Sequence, residues 1–102
     1  MTSIAVIEDK AVSFICDINT VNYTIKIVKT STQYLLTYNS VQTEFVNSVR
    51  EVEYKILHCL DKASRVKIIA PEPYPEVDYT LQQFSELYKS GVIRIGFYIG
   101  LL

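Results

Sequence analysis

The chain has 102 residues, 49% of them hydrophobic and 21% charged, with a formal net charge of −1 at pH 7 and a pI near 5.7. That length supports one core rather than two, and that composition is too apolar for a disordered polypeptide. The longest apolar run in Met1 to Lys10 is Ile4-Ala5-Val6-Ile7, and Ile95 to Leu102 is less than half of the roughly 20 residues a bilayer span needs, so neither an export signal nor a membrane span is expected.

The first third is rich in Ile, Val, Thr and Tyr, whose stiff or flat side chains suit a pleated surface. Ser3 to Glu8 and Ala11 to Cys16 flank Asp9-Lys10, which predicts a hairpin. After a polar loop, Tyr23, Ile25 and Ile27 alternate with Thr24 and Lys26, the period of a strand with one wet face. Gln33 to Asn39 fits a strand, although Tyr34, Tyr38 and Val41 also continue the following helical stripe backwards. Asn39-Ser40 then offers a break and an N-cap, because these side-chain oxygens accept the unpaired amides of a starting helix.

From Val41 to Ala63 the stripe Phe45, Val49, Val52, Ile56 and Leu60 predicts a long amphipathic helix. Val46, Tyr54 and Leu57 fall off that stripe and form a second apolar strip, a candidate partner-binding surface. Glu51 and Lys55 stand four apart in the orientation that favours pairing, as Asp61 and Arg65 would in a continued helix.

Arg65 to Ala70 reads as a strand that Pro71, Pro73 and Pro75 close off, since proline lacks the amide donor and fixes the backbone. Val77, Leu81, Phe84 and Tyr88 predict a second helix ended by Gly91, with Lys89 in its last turn. Ile93, Ile95, Phe97, Ile99 and Leu101 alternate with Val92, Arg94, Gly96, Tyr98 and Gly100, which predicts a final strand. On that strand Gly96 and Gly100 leave a shallow floor for an approaching peptide, with Arg94 and Tyr98 as walls.

The expected fold is therefore α+β, a mixed sheet of five to six strands with two helices packed on one face. The segment Leu60 to Ile68 resembles Leu87 to Ile95, each a helix end turning into a strand with a central cation. This is either a duplicated helix-strand motif, with a groove at its seam, or a generic likeness, because the loops match at an offset of 27 residues and the helical stripes at 28.

Catalytic signatures are sparse. The one histidine, His58, projects off its helix's apolar stripe, and its neighbour Cys59 turns the other way, so a Cys-His nucleophile is poorly supported. Cys16 and Cys59 are read as reduced, buried thiols, with a bridge between them left open. The two cysteines and one histidine are too few for a four-ligand zinc site. Gly91, Gly96 and Gly100 all cluster at the last predicted strand, which leaves no phosphate-cradling loop. No catalytic residue, metal or cofactor is assigned, and no enzyme is expected. Charge distribution is more informative than its sum: Lys26, Arg65, Lys67 and Arg94, with Tyr98, would share the sheet's outer face and there suit phosphates and bases. Binding of a protein or peptide, or of a second copy, is the preferred expectation, with weak nucleic-acid binding as the alternative.

Eight tyrosines, no tryptophan, three glycines and runs such as Tyr23 to Lys29 and Gln33 to Tyr38 resemble the small proteins of Acidianus filamentous viruses, lipothrixviruses of hyperthermophilic archaea. The resemblance implies a thermostable viral protein in the host cytoplasm, from a group whose members often lack an assigned function. It carries no catalytic residues with it.

Overall fold

The computed structural model describes residues 10–102. The strand expected at Ser3 to Glu8, and Asp9 of the turn expected at Asp9-Lys10, lie outside them. Six strands, β1 (Val12–Ile18), β2 (Val21–Lys29), β3 (Tyr34–Tyr38), β4 (Gln42–Val46), β5 (Arg65–Ile69) and β6 (Val77–Thr80), form one sheet in the order β4-β3-β2-β1-β5-β6. Every pairing is antiparallel, so the sheet is not mixed. Three helices accompany it: α1 (Val49–Leu60), α2 (Leu81–Lys89) and α3 (Ile95–Gly100).

The first four strands meander because their turns are local. Asn19-Thr20 and Asn39-Ser40 all have positive φ, the backbone that lets a short turn follow the right-handed twist of its strands. Asn39 is thus a turn residue and not a helix cap: its N–H donates to the Thr24 carbonyl and its Oδ1 accepts from the Thr24 N–H, both at 2.8 Å. The polypeptide emerging from this turn pairs with β3, so the region from Gln42 to Val46 is a strand where a helix was expected. Helix α1 begins later, capped by Ser48, whose Oγ accepts from the Glu51 N–H at 3.2 Å. Its 12 residues span about 18 Å at 1.5 Å each, matching the roughly 19 Å of four strand spacings between β4 and β5.

One face of the sheet holds the core. Val12, Phe14 and Cys16 of β1, Ile25 and Ile27 of β2, Leu36 of β3 and Val66 and Ile68 of β5 are all buried beneath Val52, Ile56 and Leu60 of α1 and Phe84 of α2. Val77 is on β6, not in the second helix, which starts at a capping box where Thr80 and Gln83 exchange side-chain to backbone bonds. Helix α2 ends as expected at Gly91, φ +80°, with the Gly91 N–H on the Tyr88 carbonyl and the Val92 N–H on that of Leu87, a Schellman closure.

The largest departure from expectation is at the end. Residues Ile95–Gly100 are helical, and Ile95 and Ile99, four apart, enter the core while Phe97 stays half exposed. The α2 unit is therefore followed by a helix where the α1 unit is followed by β5, so the two segments do not share the helix-strand motif. The anticipated ion pairs are also replaced: Lys55 pairs with Glu44 of β4 at 2.7 Å, and Arg65 with Asp78 of β6 at 3.1 Å.

Candidate functional site

The Schellman turn at Gly91 sends the chain back across α1, and burial of Ile93, Ile95 and Ile99 fixes α3 there. Between α1, α2 and α3 lies a cleft of about 590 Å³. Helix α1 contributes Glu53, α2 contributes Tyr88, and the N-terminal part of α3 with its N-cap contributes Arg94, Gly96 and Phe97. At Gly96 an added Cβ would lie 3.8 Å from a Val49 methyl, ordinary contact, so glycine is not forced here by crowding; its missing side chain leaves the floor open.

The polar groups of the cleft differ in how they are held. The Tyr88 hydroxyl donates to Glu53 Oε2 at 2.9 Å, which orients the carboxylate. Burial, reinforced by that carboxylate, holds the Tyr88 hydroxyl above its ordinary pKa, so it remains a donor at neutral pH. Arg94 is exposed, and among the described residues its guanidinium forms no ion pair. Phe97 is 50% exposed and meets Tyr74 edge-on, with ring centroids 5.5 Å apart, which gives the cleft an aromatic rim. A neighbouring depression of about 260 Å³ follows the α1–α2 seam over Leu57, Leu60 and Phe84 and meets the cleft at Tyr88.

Of the residues singled out for partner binding, Arg94 and Gly96 share this cleft. Tyr98 does not line it; half buried, it stands edge-on to Phe14 at 6.3 Å, and Gly100 is exposed at the far end of α3. Val46 is 1% exposed on β4, facing the helices, and Leu57 is half buried in the α1–α2 seam. Tyr54 alone of that trio is exposed, at 72%, and stacked on His58, so the second apolar strip does not exist as a surface. The strip dissolves because Val46 precedes the helix and belongs to a strand.

The cationic set is divided as well. By strand alternation Lys26, Arg65 and Lys67 share the open face of the sheet, whereas Arg94 and Tyr98 lie on the helix side. Asp17 and Asp78 sit among the three cations, and a shallow depression of about 130 Å³ is lined by both acids together with Arg65 and Lys67. Cys16 and Cys59 are free thiols; burial pushes Cys16 up to about 12 and raises Cys59, which disfavours either thiolate at neutral pH. Among the described residues no helix is long and apolar enough to cross a membrane.

Comparison with known proteins finds no matching family model, no matching curated protein and no matching solved structure. The site is therefore read from its own geometry. Sequence reasoning missed Glu53, Tyr88 and Phe97 as cleft residues. Tyr88 was visible only as part of a helical stripe, and no local signal joins positions 35 residues apart such as Glu53 and Tyr88.

Proposed function

We propose that this chain is a non-enzymatic interaction module that binds a protein or peptide in the cleft between α1, α2 and α3, acting as a viral protein as its resemblance implies. The observation that carries the reading is the combination of an exposed Arg94 without an ion pair among the described residues, a Glu53 carboxylate oriented by Tyr88, and a half-exposed Phe97 beside the open backbone of Gly96. The aromatic rim and open floor supply area for an apolar side chain, and the two opposite charges fix its direction. A displayed peptide library selected against the immobilised protein should yield a consensus. Its binding should weaken about tenfold or more in Arg94→Ala/Phe97→Ala, given the weight of central Arg and aromatic anchors, with the far-ultraviolet spectrum unchanged. No enriched peptide, or equal binding by the double variant, would sink the proposal.

Nucleic-acid binding is the second reading, favoured by the shared face of Lys26, Arg65 and Lys67. It is the weaker one, because Asp17 and Asp78 interrupt that surface and Arg65 is already paired. Steep loss of affinity with salt would support it; no binding to single- or double-stranded probes at low salt would remove it.

A further inference from the structure

The two edges of the sheet are built differently. Strand β6 is guarded: Pro71, Pro73 and Pro75 precede it, and α2 begins directly at its end. Strand β4 has neither proline nor lysine in Gln42–Val46, and its single carboxylate, Glu44, is drawn to the helix face by Lys55 at 2.7 Å and the Tyr38 hydroxyl at 3.1 Å. Natural sheets blunt exposed edges with proline, charge or cover, because an open edge invites another strand.

The hydrogen-bond phase of the ladder identifies which groups of β4 face outwards. The Asn39 N–H bonds to Thr24 of β2, so along β3 the alternate residues Thr37 and Leu35 also face β2, while Tyr38, Leu36 and Tyr34 face β4. Their partners Gln42, Glu44 and Val46 are thereby bonded inward, leaving the backbone N–H and C=O of Thr43 and Phe45 directed away from the sheet. Beside these groups stand two large apolar side chains left in water, Val41 at 87% and Phe45 at 59% exposure.

This edge is complementary to itself. Place a second β4 antiparallel to the first with Thr43 opposite its own symmetry mate. Thr43 then exchanges reciprocal N–H···O=C bonds with its counterpart, Phe45 lies against Val41 of the second copy, and the Gln42 amide stands opposite the Glu44 carboxylate. All three pairings follow from one register, and a two-fold axis repeats each of them. We infer that the protein self-associates through β4, joining two sheets into one continuous antiparallel sheet with the cleft outside the junction. A strand of five residues buries less than the roughly 1,600 Å² of a standard interface, so the dimer dissociates on dilution.

Sedimentation of the full chain from about 1 μM to about 0.5 mM, the range in which a short interface associates, should show monomer giving way to dimer. Thr43→Pro deletes an outward amide that no other strand among the described residues uses, and should sediment as monomer throughout. Since proline at this position can also unfold the strand, Thr43→Cys provides an independent reading. Under oxidation it should form a covalent dimer at several-fold higher yield than Val21→Cys, which places a thiol at an exposed position (64%) at the start of β2, or than the parent protein with Cys16 and Cys59. A parent chain that stays monomeric over the whole range overturns the inference. So does a dimer for which Thr43→Cys crosslinks no better than Val21→Cys, because the contact then lies elsewhere, whether on a heterologous strand or another face.

Discussion

Glu44 is the residue at which strand, helix and edge are tied together. Its carboxylate accepts from Lys55 of α1 at 2.7 Å and from the Tyr38 hydroxyl of β3 at 3.1 Å. The bond from Lys55 contributes most to holding its pKa below the ordinary carboxylate range; desolvation opposes it, and the Tyr38 hydroxyl adds a smaller lowering. Because the folded pKa is the depressed one, the stabilisation is present above the ordinary carboxylate pKa and is lost as pH falls through the folded value. Both partners are substantially solvated, at 32% and 40% side-chain exposure, so the effect is screened and amounts to about 1 kcal/mol or less. Glu44→Gln should therefore lower stability slightly at neutral pH and not at the acid end, flattening that part of the curve of unfolding free energy against pH. An unchanged acid limb in denaturant titrations would show that the contact has no energetic weight. The Tyr38 hydroxyl is pushed the other way, upwards, by burial first and by Glu44 second, so it remains a donor across this window.

At the scale of elements, the position of each helix start decides which side chains reach the site. Ser48 caps α1, and loss of its bond to the Glu51 N–H in Ser48→Ala should cost about 1 kcal/mol, read from a shifted denaturation midpoint with an unchanged slope. If α1 instead began near Val41, the same substitution would fall inside a helix and be near neutral or stabilising. The sequence did hold this signal: Ser48 with Glu51 three residues on, like Thr80 with Gln83, is a start pattern. It was masked because Phe45 and Val49, four apart, extend the helical stripe across the boundary. Asn39-Ser40 misled for a related reason, since asparagine favours both helix caps and left-handed turns. The α3 segment is the clearest ambiguity. Ile95 and Ile99 are separated by four residues, a spacing that keeps two side chains on one face of a strand and also on one face of a helix. Only the exposure of Phe97 separates the two periods, and that is a tertiary fact. The strands β1, β2, β3 and β5 were legible because β-favouring residues alternate along them and turn residues or prolines bound them; the cleft was not, because it exists only when α3 is a helix lying across α1.

For the whole molecule, the described residues bury a single cluster running from Val46 near one edge through Phe14 to Ile68 and Phe84, with every helix covering the same sheet face. A single cluster predicts a single cooperative transition. Two phenylalanines test how far the energetics follow burial rather than residue type. Phe14 is 0% exposed at the centre of the sheet, between Ile25 and Ile68, with Tyr98 edge-on above it. Phe45 is 59% exposed on the open face of the edge strand. Truncating Phe14 to alanine should cost about 3–5 kcal/mol, the range for emptying a large aromatic site, against a net stability of roughly 5–15 kcal/mol for a domain of this kind. Phe45→Ala should cost less than about 1 kcal/mol in dilute solution, where only edge-strand packing is lost. Urea unfolding monitored by tyrosine fluorescence and by circular dichroism should give coincident curves for both variants, with the Phe14 variant displaced far to lower denaturant. Diverging probes in the Phe14 variant would mean that α2, α3 and the sheet unfold separately. The cleft would then be a junction between independent pieces, and a partner bound there would have to supply its rigidity.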